Sequence, residues 1–572
     1  MKHSIVATGG CCFKCIVCLT SLFWTLSPAA AEQLSIPSIE QIPRKPEPFL
    51  VRDWCALTRQ FDQLAFDTTA KGRHLPLIEI EETSTGPRFR MSAYVGDYRL
   101  DANGRRPAEA IPSIGAVLGA TFVGIDKSVG PHNWVRMCQH YFRRQRDQRV
   151  LLNKFDTSAG DSFWYDLFPG ILFTALADRY PCDQVLARCV RLNSRRWLEA
   201  TCVLTDGGRD ANFHFTAFDF ATMKPVVNGL WKEPDAAGGI AWLQYMAYLR
   251  TRDNDPAEAA CFLQSTKWCL DFLEKEASNP AYEVLMPFGA YTAARFNAEQ
   301  HGTYDIAKFV GWCFQRSQAR PDMIMIADRW AKQDVHGLLG FTKHSEPSRG
   351  YAFTMNTFVA AWPLVPLVRY DDRFARAIGR WMLGAANAAR YFYPDAHPES
   401  RQSSYSDGIN TNNVVAYEGI RNRWLQDRPE EKLFAAGDPL TYDWGPHTDL
   451  SLYGSAFVGV FGAIVRPTNH ERILQIDLRA TDSCSGPSYP SRLYYNPYPE
   501  RKEIVLQVAA EPQDLYDCVS NRVLARNVSG RARFAIPPDE AVLLVLIPSE
   551  AKLSRQGSRL IANGVIVDYR ND

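Results

Sequence analysis

The feature that most constrains this chain is an alternation of two kinds of helix. Leu167–Arg179, Asp235–Arg252, Gly289–Gln300, Asn356–Val368 and Asp449–Val465 are rich in small residues and apolar nearly all round, the pattern of a helix covered on both sides. Between them lie Cys182–Leu204, Pro256–Ser278, Tyr304–Arg316 and Asp372–Tyr391. These confine Arg, Lys, Glu and Asp to one face and read as outer helices lying over the first set. Further helices are expected at Val51–Phe66, where Trp54, Leu57, Phe61 and Leu64 share a face, at Ile114–Val123 and at Trp134–Arg149. Repeated inner–outer hairpins close into a ring of about six pairs, an (α/α)6 toroid. An open solenoid is the alternative, but it would keep a fixed short period that the irregular pair lengths and long polar loops here break.

The texture changes near Thr468. Short β-prone runs follow at Ile473–Leu478, Ser491–Tyr495, Glu503–Val508, Ala532–Ile536, Ala541–Ile547 and Val565–Tyr569, separated by turns such as Ser529-Gly530 and Pro537-Pro538. Strands at this spacing predict a small antiparallel β-sandwich. The expected organisation is therefore a mainly helical toroid over residues 51–466 and a sandwich over 467–572, preceded by an extended lead-in over 32–50.

Residues 1–31 read as a signal peptide. Lys2 and His3 open it, an apolar run from Cys15 to Leu26 follows, and Ser27-Pro28-Ala29-Ala30-Ala31 ends it with the small-residue pattern that signal peptidase cleaves, here after Ala31. The run is shorter than the roughly 20 residues that span a bilayer, so the expectation is a secreted or periplasmic protein without membrane insertion after cleavage. Lys+Arg (64) and Asp+Glu (63) nearly cancel and form no basic stripe, which removes the electrostatic basis for nucleic-acid binding. Ten cysteines follow the signal; an oxidising compartment permits disulfides, with Cys182 to Cys189 or Cys202 and Cys484 to Cys518 as the local pairs within reach, while several cysteines sit on apolar helical faces where a buried thiol is the commoner outcome. None has zinc-ligand spacing, and no phosphate loop or Ser–His motif is present, so neither metal nor cofactor is expected.

The exported helical ring followed by a sandwich resembles the six-hairpin glycosidase superfamily and its polysaccharide-lyase and epimerase relatives. The stretches NGLWKEPDAAGGIAWLQYMAY, MPFGAYTAARFNAEQ, YAFTMNTFVAAWPLVPLVRYDDRFARAIGRWML and TDLSLYGSAFVGVFGAIV carry it. Gly229-Leu230-Trp231-Lys232-Glu233 resembles the Leu-Trp-Glu-Glu segment that bears the catalytic acid in glucoamylase-like toroid hydrolases, with Lys232 standing where that segment has its first Glu. The resemblance implies a carbohydrate substrate and a glycoside hydrolase, with a polysaccharide lyase or uronate epimerase as the second reading and a non-catalytic carbohydrate-binding protein as the third.

Hydrolysis of a glycosidic bond needs a carboxylic acid to protonate the leaving oxygen and a carboxylate to activate water or attack the sugar. Carboxylates where loops enter inner helices are the candidates. Glu233 precedes Pro234 at the start of one such helix and is the expected acid; Glu418, in Ala416-Tyr417-Glu418-Gly419, is its expected partner. Asp449, with Asp443 nearby, and Asp166 are rivals, although helix starts attract capping acids in any case. Trp164, Tyr165, Trp231, Tyr291, Trp444 and His447 are the expected sugar-binding residues, since an aromatic face packs on sugar C–H groups. A lyase would instead draw on His214, Tyr291, Arg295, Tyr304 and Asn356 to abstract a proton and neutralise a uronate.

Overall fold

The computed structural model describes residues 32–100, 103–143, 148–155, 159–320, 323–341, 350–405, 411–423 and 433–571. The signal-peptide expectation for residues 1–31 lies outside them.

In chain order the helices are α1 (Trp54–Ala65), α2 (Ala110–Phe122), α3 (Trp134–Met137), α4 (Phe163–Arg179), α5 (Gln184–Leu204), α6 (Ala236–Thr251), α7 (Pro256–Lys275), α8 (Met286–Gln300), α9 (Ile306–Trp312), α10 (Thr354–Leu367), α11 (Ala375–Ala388), α12 (Asp438–Tyr442), α13 (Leu452–Ala456) and α14 (Val458–Ile464). The apolar set is buried along nearly its whole length, as all-round hydrophobicity requires: every residue from Ala236 to Ala247 in α6 and from Met286 to Phe296 in α8 is buried. These helices pack in sequence, α2 on α4, α4 on α6, α6 on α8 and α8 on α10. From there α10 packs on α13 and α14, which both return to α2. Glycines bring the axes close. A Cβ on Gly459 would stand 2.3 Å from the Gly119 carbonyl oxygen, and one on Gly289 would stand 2.9 Å from Gly238 Cα. The amphipathic set lies outside this circuit. In α5 the buried residues Leu186, Cys189, Val190, Asn193, Trp197, Ala200, Thr201 and Leu204 recur every three or four positions.

The two sets are capped differently. Outer helices α1, α5, α7 and α9 each begin at an Asp, residues 53, 183, 255 and 305, whose carboxylate accepts a backbone N–H of its own first turn. Inner helices α4, α6, α8 and α10 have no such cap of their own. Groups from neighbouring approach segments serve instead: Asn153 Oδ1 accepts Ile111 N–H at 3.1 Å at the start of α2, and Glu233 accepts Trp164 N–H at 2.8 Å at the start of α4.

Several boundaries differ from the sequence reading. Inner helices α2, α4 and α8 begin three or four residues earlier than expected, with Pro112 and Pro287 inside the first turn, where a missing N–H costs nothing. Trp134–Arg149 is not one helix. A single α turn and a 3-10 turn end at Tyr141, and Phe142–Arg143 pairs with Val150–Leu151. Asp449–Val465 begins only at Leu452 and is broken at Phe457. A five-stranded antiparallel sheet, unforeseen, orders Phe434–Ala435, Gly419–Arg421, Tyr351–Phe353, Leu339–Phe341 and Met323–Met325, and its central strand runs straight into α10.

From Val465 the chain is β. A six-stranded sheet takes the order Val465–Pro467, Leu474–Asp477, Ser491–Tyr495, Ala541–Pro548, Gln513–Asp517, Arg522–Val528. On one face Tyr494, Leu544 and Leu546 pack with Ile504, Leu506 and Phe534 of the hairpin Lys502–Gln507 and Arg531–Ile536. Alternate residues Leu493, Tyr495, Leu543 and Val545 face the other way and join the helical core, with α11 against the strands. Strand Ala541–Pro548 is thus buried on both faces and reads as an unbroken apolar run. A loop of this region, Ala480–Cys484, enters the far end of the inner helices. Trp362 Nε1 donates to Thr481 O at 3.1 Å, Arg295 donates to Ser483 O and Cys484 O at 2.7 and 2.8 Å, and Asp482 accepts from Tyr291 at 2.6 Å and from Arg369.

All ten cysteines after residue 31 are free thiols, so neither of the local pairings that the sequence permits is formed. Cys484 lies against Asp178, at 3.3 Å, and buried Cys518 against Val567 O, each in its own polar contact. No described helix is long and apolar enough to cross a membrane.

Candidate active site

The approach segments of the inner helices lie at one end of the circuit, and Glu418 is held there by three of them. Its backbone is fixed by Thr354 N–H donating to Glu418 O at 2.9 Å, at the start of α10, and by its own N–H donating to Asp449 O at 2.8 Å. Its carboxyl group accepts from the hydroxyls of Tyr94 and, at 3.1 Å, Tyr351, and from Asp438 N–H at 2.7 Å. Gly437 makes this approach possible, because a Cβ there would stand 2.6 Å from Glu418 Oε2. Burial, and then the neighbouring Asp438 carboxylate, push the Glu418 pKa up to about 8. Glu418 as a whole residue is half-buried, whereas Glu233, Asp166 and Asp449 are 1%, 3% and 0% exposed.

Those three fully buried acids tie the approach segments together. Glu233 accepts from Ser162 Oγ at 2.5 Å and from Trp164 N–H at 2.8 Å, so one oxygen caps α4 and the other holds the residue before it; burial raises its pKa. Asp166 accepts Gly160 N–H at 3.0 Å and folds the approach to α4 back on itself, again with a pKa raised by burial. Asp449 accepts Leu440 N–H at 3.1 Å within α12. Glu233 and Glu418 share no hydrogen-bond partner.

Around these acids stands an apolar rim. Of the thirteen exposed large hydrophobic side chains among the described residues, eight fall in three approach segments: Tyr98 and Leu100; Val227, Leu230 and Trp231; Leu440, Tyr442 and Trp444. Singly scattered exposed apolar side chains are ordinary; here they are concentrated in segments that also carry the buried acids. Trp444 meets Tyr94 edge-on at 5.8 Å and carries the Arg99 guanidinium at 5.3 Å, while Trp231 lies 5.8 Å from that of Arg320. His447 is exposed and packs on Tyr98 at 4.5 Å, and Trp164 is buried under Tyr165 at 4.5 Å.

Tyr291 does not belong here. It is buried in the body of α8 with its hydroxyl on Asp482, inside the opposite end, and Arg295 goes with it. The reason is the early start of α8, which places Tyr291 well past the first turn. The set named for a lyase is divided: Arg295 and Tyr304, the latter bonded to Asp271 at 2.9 Å, go to the far end, whereas Asn356 and His214, which bonds Glu276 at 3.1 Å, lie at the end where the inner helices begin.

Two acids that the sequence reading passed over stand beside the named ones. Glu109, the residue before α2, accepts from Asn153 Nδ2 at 2.7 Å and from Tyr453, with Arg99 at 3.8 Å. Glu283, three residues before α8, keeps partial solvent contact, pairs with Arg320 and accepts from Asn356 Nδ2 at 2.7 Å. Their signal was present: each directly precedes an inner helix once Pro112 and Pro287 are read as first-turn residues. Arg320 lies over Phe353 at 5.2 Å, and Phe353 packs on Tyr351 at 4.4 Å, so one aromatic pair separates Glu283 from Glu418. Among the described residues no group of three or more His, Cys, Asp or Glu is arranged to hold a metal ion.

No family model matches the chain, and no curated protein matches it in sequence. Solved structures similar to it include a glycosidase at 10% identity and TM-score 0.29, over 72% of this chain and 96% of that one. The GH127 β-arabinofuranosidase is 8% identical with TM-score 0.35, over 94% of this chain and 84% of that one. Hormoconis resinae glucoamylase is 10% identical with TM-score 0.29, over 80% of this chain and 94% of that one.

Proposed function

We propose that this protein is an exported glycoside hydrolase built on an (α/α)6 toroid, with Glu418 as the proton donor and Glu283 as the second carboxylate. The observation that carries the reading is the state of Glu418. A pKa raised to about 8 favours the protonated form near neutral pH, which is the form a proton donor needs, and the residue is not fully closed off from the surface. Tyr94, Tyr351 and the Asp438 N–H fix its direction. Glu283, ion-paired with Arg320, supplies the complementary charge, to activate water or to meet the oxocarbenium-like carbon. The rim of Trp231, Tyr442 and Trp444 offers apolar faces for sugar rings. Glu233, with one oxygen capping α4 and the other taken by the Ser162 hydroxyl, fits a structural role better than that of acid.

The test is a panel of plant, algal and bacterial polysaccharides incubated with the mature protein in oxygen-18 water. New reducing ends carrying the heavy isotope, and no ultraviolet-absorbing unsaturated product, are the expected result. Glu418→Gln should lower turnover by about 10²–10⁴-fold, the usual contribution of a positioned acid. An unsaturated product from a uronate polymer would replace hydrolysis by elimination.

A further inference from the structure

A separate cleft of about 750 Å³ opens beside the rim, on the segment that follows α11. Its walls include Tyr417 and Leu450, which pair as an isolated β-bridge and are the immediate neighbours of Glu418 and Asp449. The cleft and the Glu418 carboxyl therefore lie on either side of one strand-like wall. We infer that this cleft is a second carbohydrate-binding site, one that takes an uncharged stretch of the same glycan chain beyond the sugars held at Glu418. This inference rests on the reading of the protein as a carbohydrate-active enzyme.

The chemistry of the walls selects the ligand. Among the described residues lining the cleft there is no Lys or Arg; of its two acids Asp395 is paired with Arg52, while Glu399 carries a charge turned to Tyr405, so a phosphate or uronate would find no cation in these walls and one like charge. His397 adds no positive charge at neutral pH, because burial lowers its pKa to about 4. What remains is amide and hydroxyl: Gln402, Ser404, Thr411 and Asn413, groups that donate to and accept from sugar hydroxyls. Tyr405 is 50% exposed and its hydroxyl is tied to Glu399, which orients the ring as a stacking face. The floor is braced by Gln402, which donates to His397 O at 3.0 Å and accepts from Tyr417 at 3.2 Å.

The experiment is titration calorimetry of the mature chain carrying Glu418→Gln with maltohexaose, cellohexaose, xylohexaose and arabinohexaose, and with hexagalacturonate as the anionic control. At least one neutral hexasaccharide should bind in two events per chain. Adding Tyr405→Ala or Asn413→Ala should weaken one event at least tenfold and leave the other unchanged. Since Tyr405 is half exposed, the melting temperature should stay within a degree or two, which checks that the variant is folded. Equal binding with and without Tyr405→Ala, absence of any hexasaccharide binding, or Tyr405-dependent binding of hexagalacturonate in preference to the neutral chains would each overturn the inference. The calorimetry does not depend on turnover. A wild-type protein that releases no reducing ends would defeat the hydrolase reading, while a Tyr405-dependent neutral site would still stand.

Discussion

Where the inner helices begin, buried acids stand beside exposed aromatics, and burial together with the nearby Asp438 raises the pKa of one of them, Glu418, to about 8. Where the same helices end, acids and bases are equally buried but consumed by each other: Asp482 takes Arg369, Tyr291 and Tyr370, and Arg295 takes Glu299 and the carbonyls of residues 483 and 484. The difference lies in which group is left with capacity. A buried network with every member matched fixes one arrangement of the chain, whereas a carboxyl with a raised pKa beside exposed aromatics is where a proton-transfer role is to be tested. The comparison explains why the β region follows the helices so closely. It supplies Ala480–Cys484, the loop that closes the far end, and one face of its sheet completes the helical core.

The comparison can be broken first at the closed end. Asp482→Ala leaves Arg369 buried without its acid, while Arg295 keeps Glu299, and should cost about 3–5 kcal/mol in urea unfolding. Turnover per folded molecule should hold; loss of turnover without loss of stability would place chemistry at the wrong end. A second change tests the closure of the circuit itself. Gly459→Ala drives a methyl group into the Gly119 carbonyl and should cost about 1–3 kcal/mol by overpacking, read from the same urea midpoint.

A third prediction concerns pH. Beyond the end of α10, burial first and then Asp568 raise Asp372 to about 8, and burial raises Asp568 and Asp517 to about 6. Between the ordinary Asp value of 3.8 and the folded value, the native state keeps a proton that the unfolded chain releases, so this contribution to stability is lost as pH rises through that window. Asp372→Asn should flatten the fall in urea midpoint between about pH 5 and pH 8; an unchanged slope would remove Asp372 from the account. The smallest expected effect sharpens the open end. Trp231, 53% exposed, should change stability by no more than about 0.5 kcal/mol when replaced by Ala. Its loss should raise KM by roughly 3–10-fold, the worth of one aromatic face at about 0.5–1.5 kcal/mol.

Much of the fold is written in the sequence because burial dictates residue type. The all-round apolar helices are the inner ones, and strands such as Ser491–Tyr495 sit where the β-prone runs fall. What escaped is context that period alone does not encode. Prolines 112 and 287 look like boundaries yet occupy first turns, and that shift of three or four residues hid Glu109 and Glu283 and misplaced Tyr291. Glu233 illustrates a second limit. An acid at a helix start was visible, but not that it would cap the neighbouring helix rather than face solvent, because inner helices borrow their caps from approach segments distant in sequence. The five-stranded sheet around Tyr351–Phe353 was missed for a related reason: its strands are only two or three residues long, too short to show an alternation.

The most direct test of the account sets the two ends side by side, measuring hydrolysis of one identified glycan by Glu418→Gln and by Asp482→Asn at a temperature where both remain folded. Glu418→Gln should lose about 10²–10⁴-fold in turnover with its melting temperature nearly unchanged, and Asp482→Asn should keep its turnover while melting several degrees lower. Full turnover by Glu418→Gln would contradict the assignment of the chemistry to the open end.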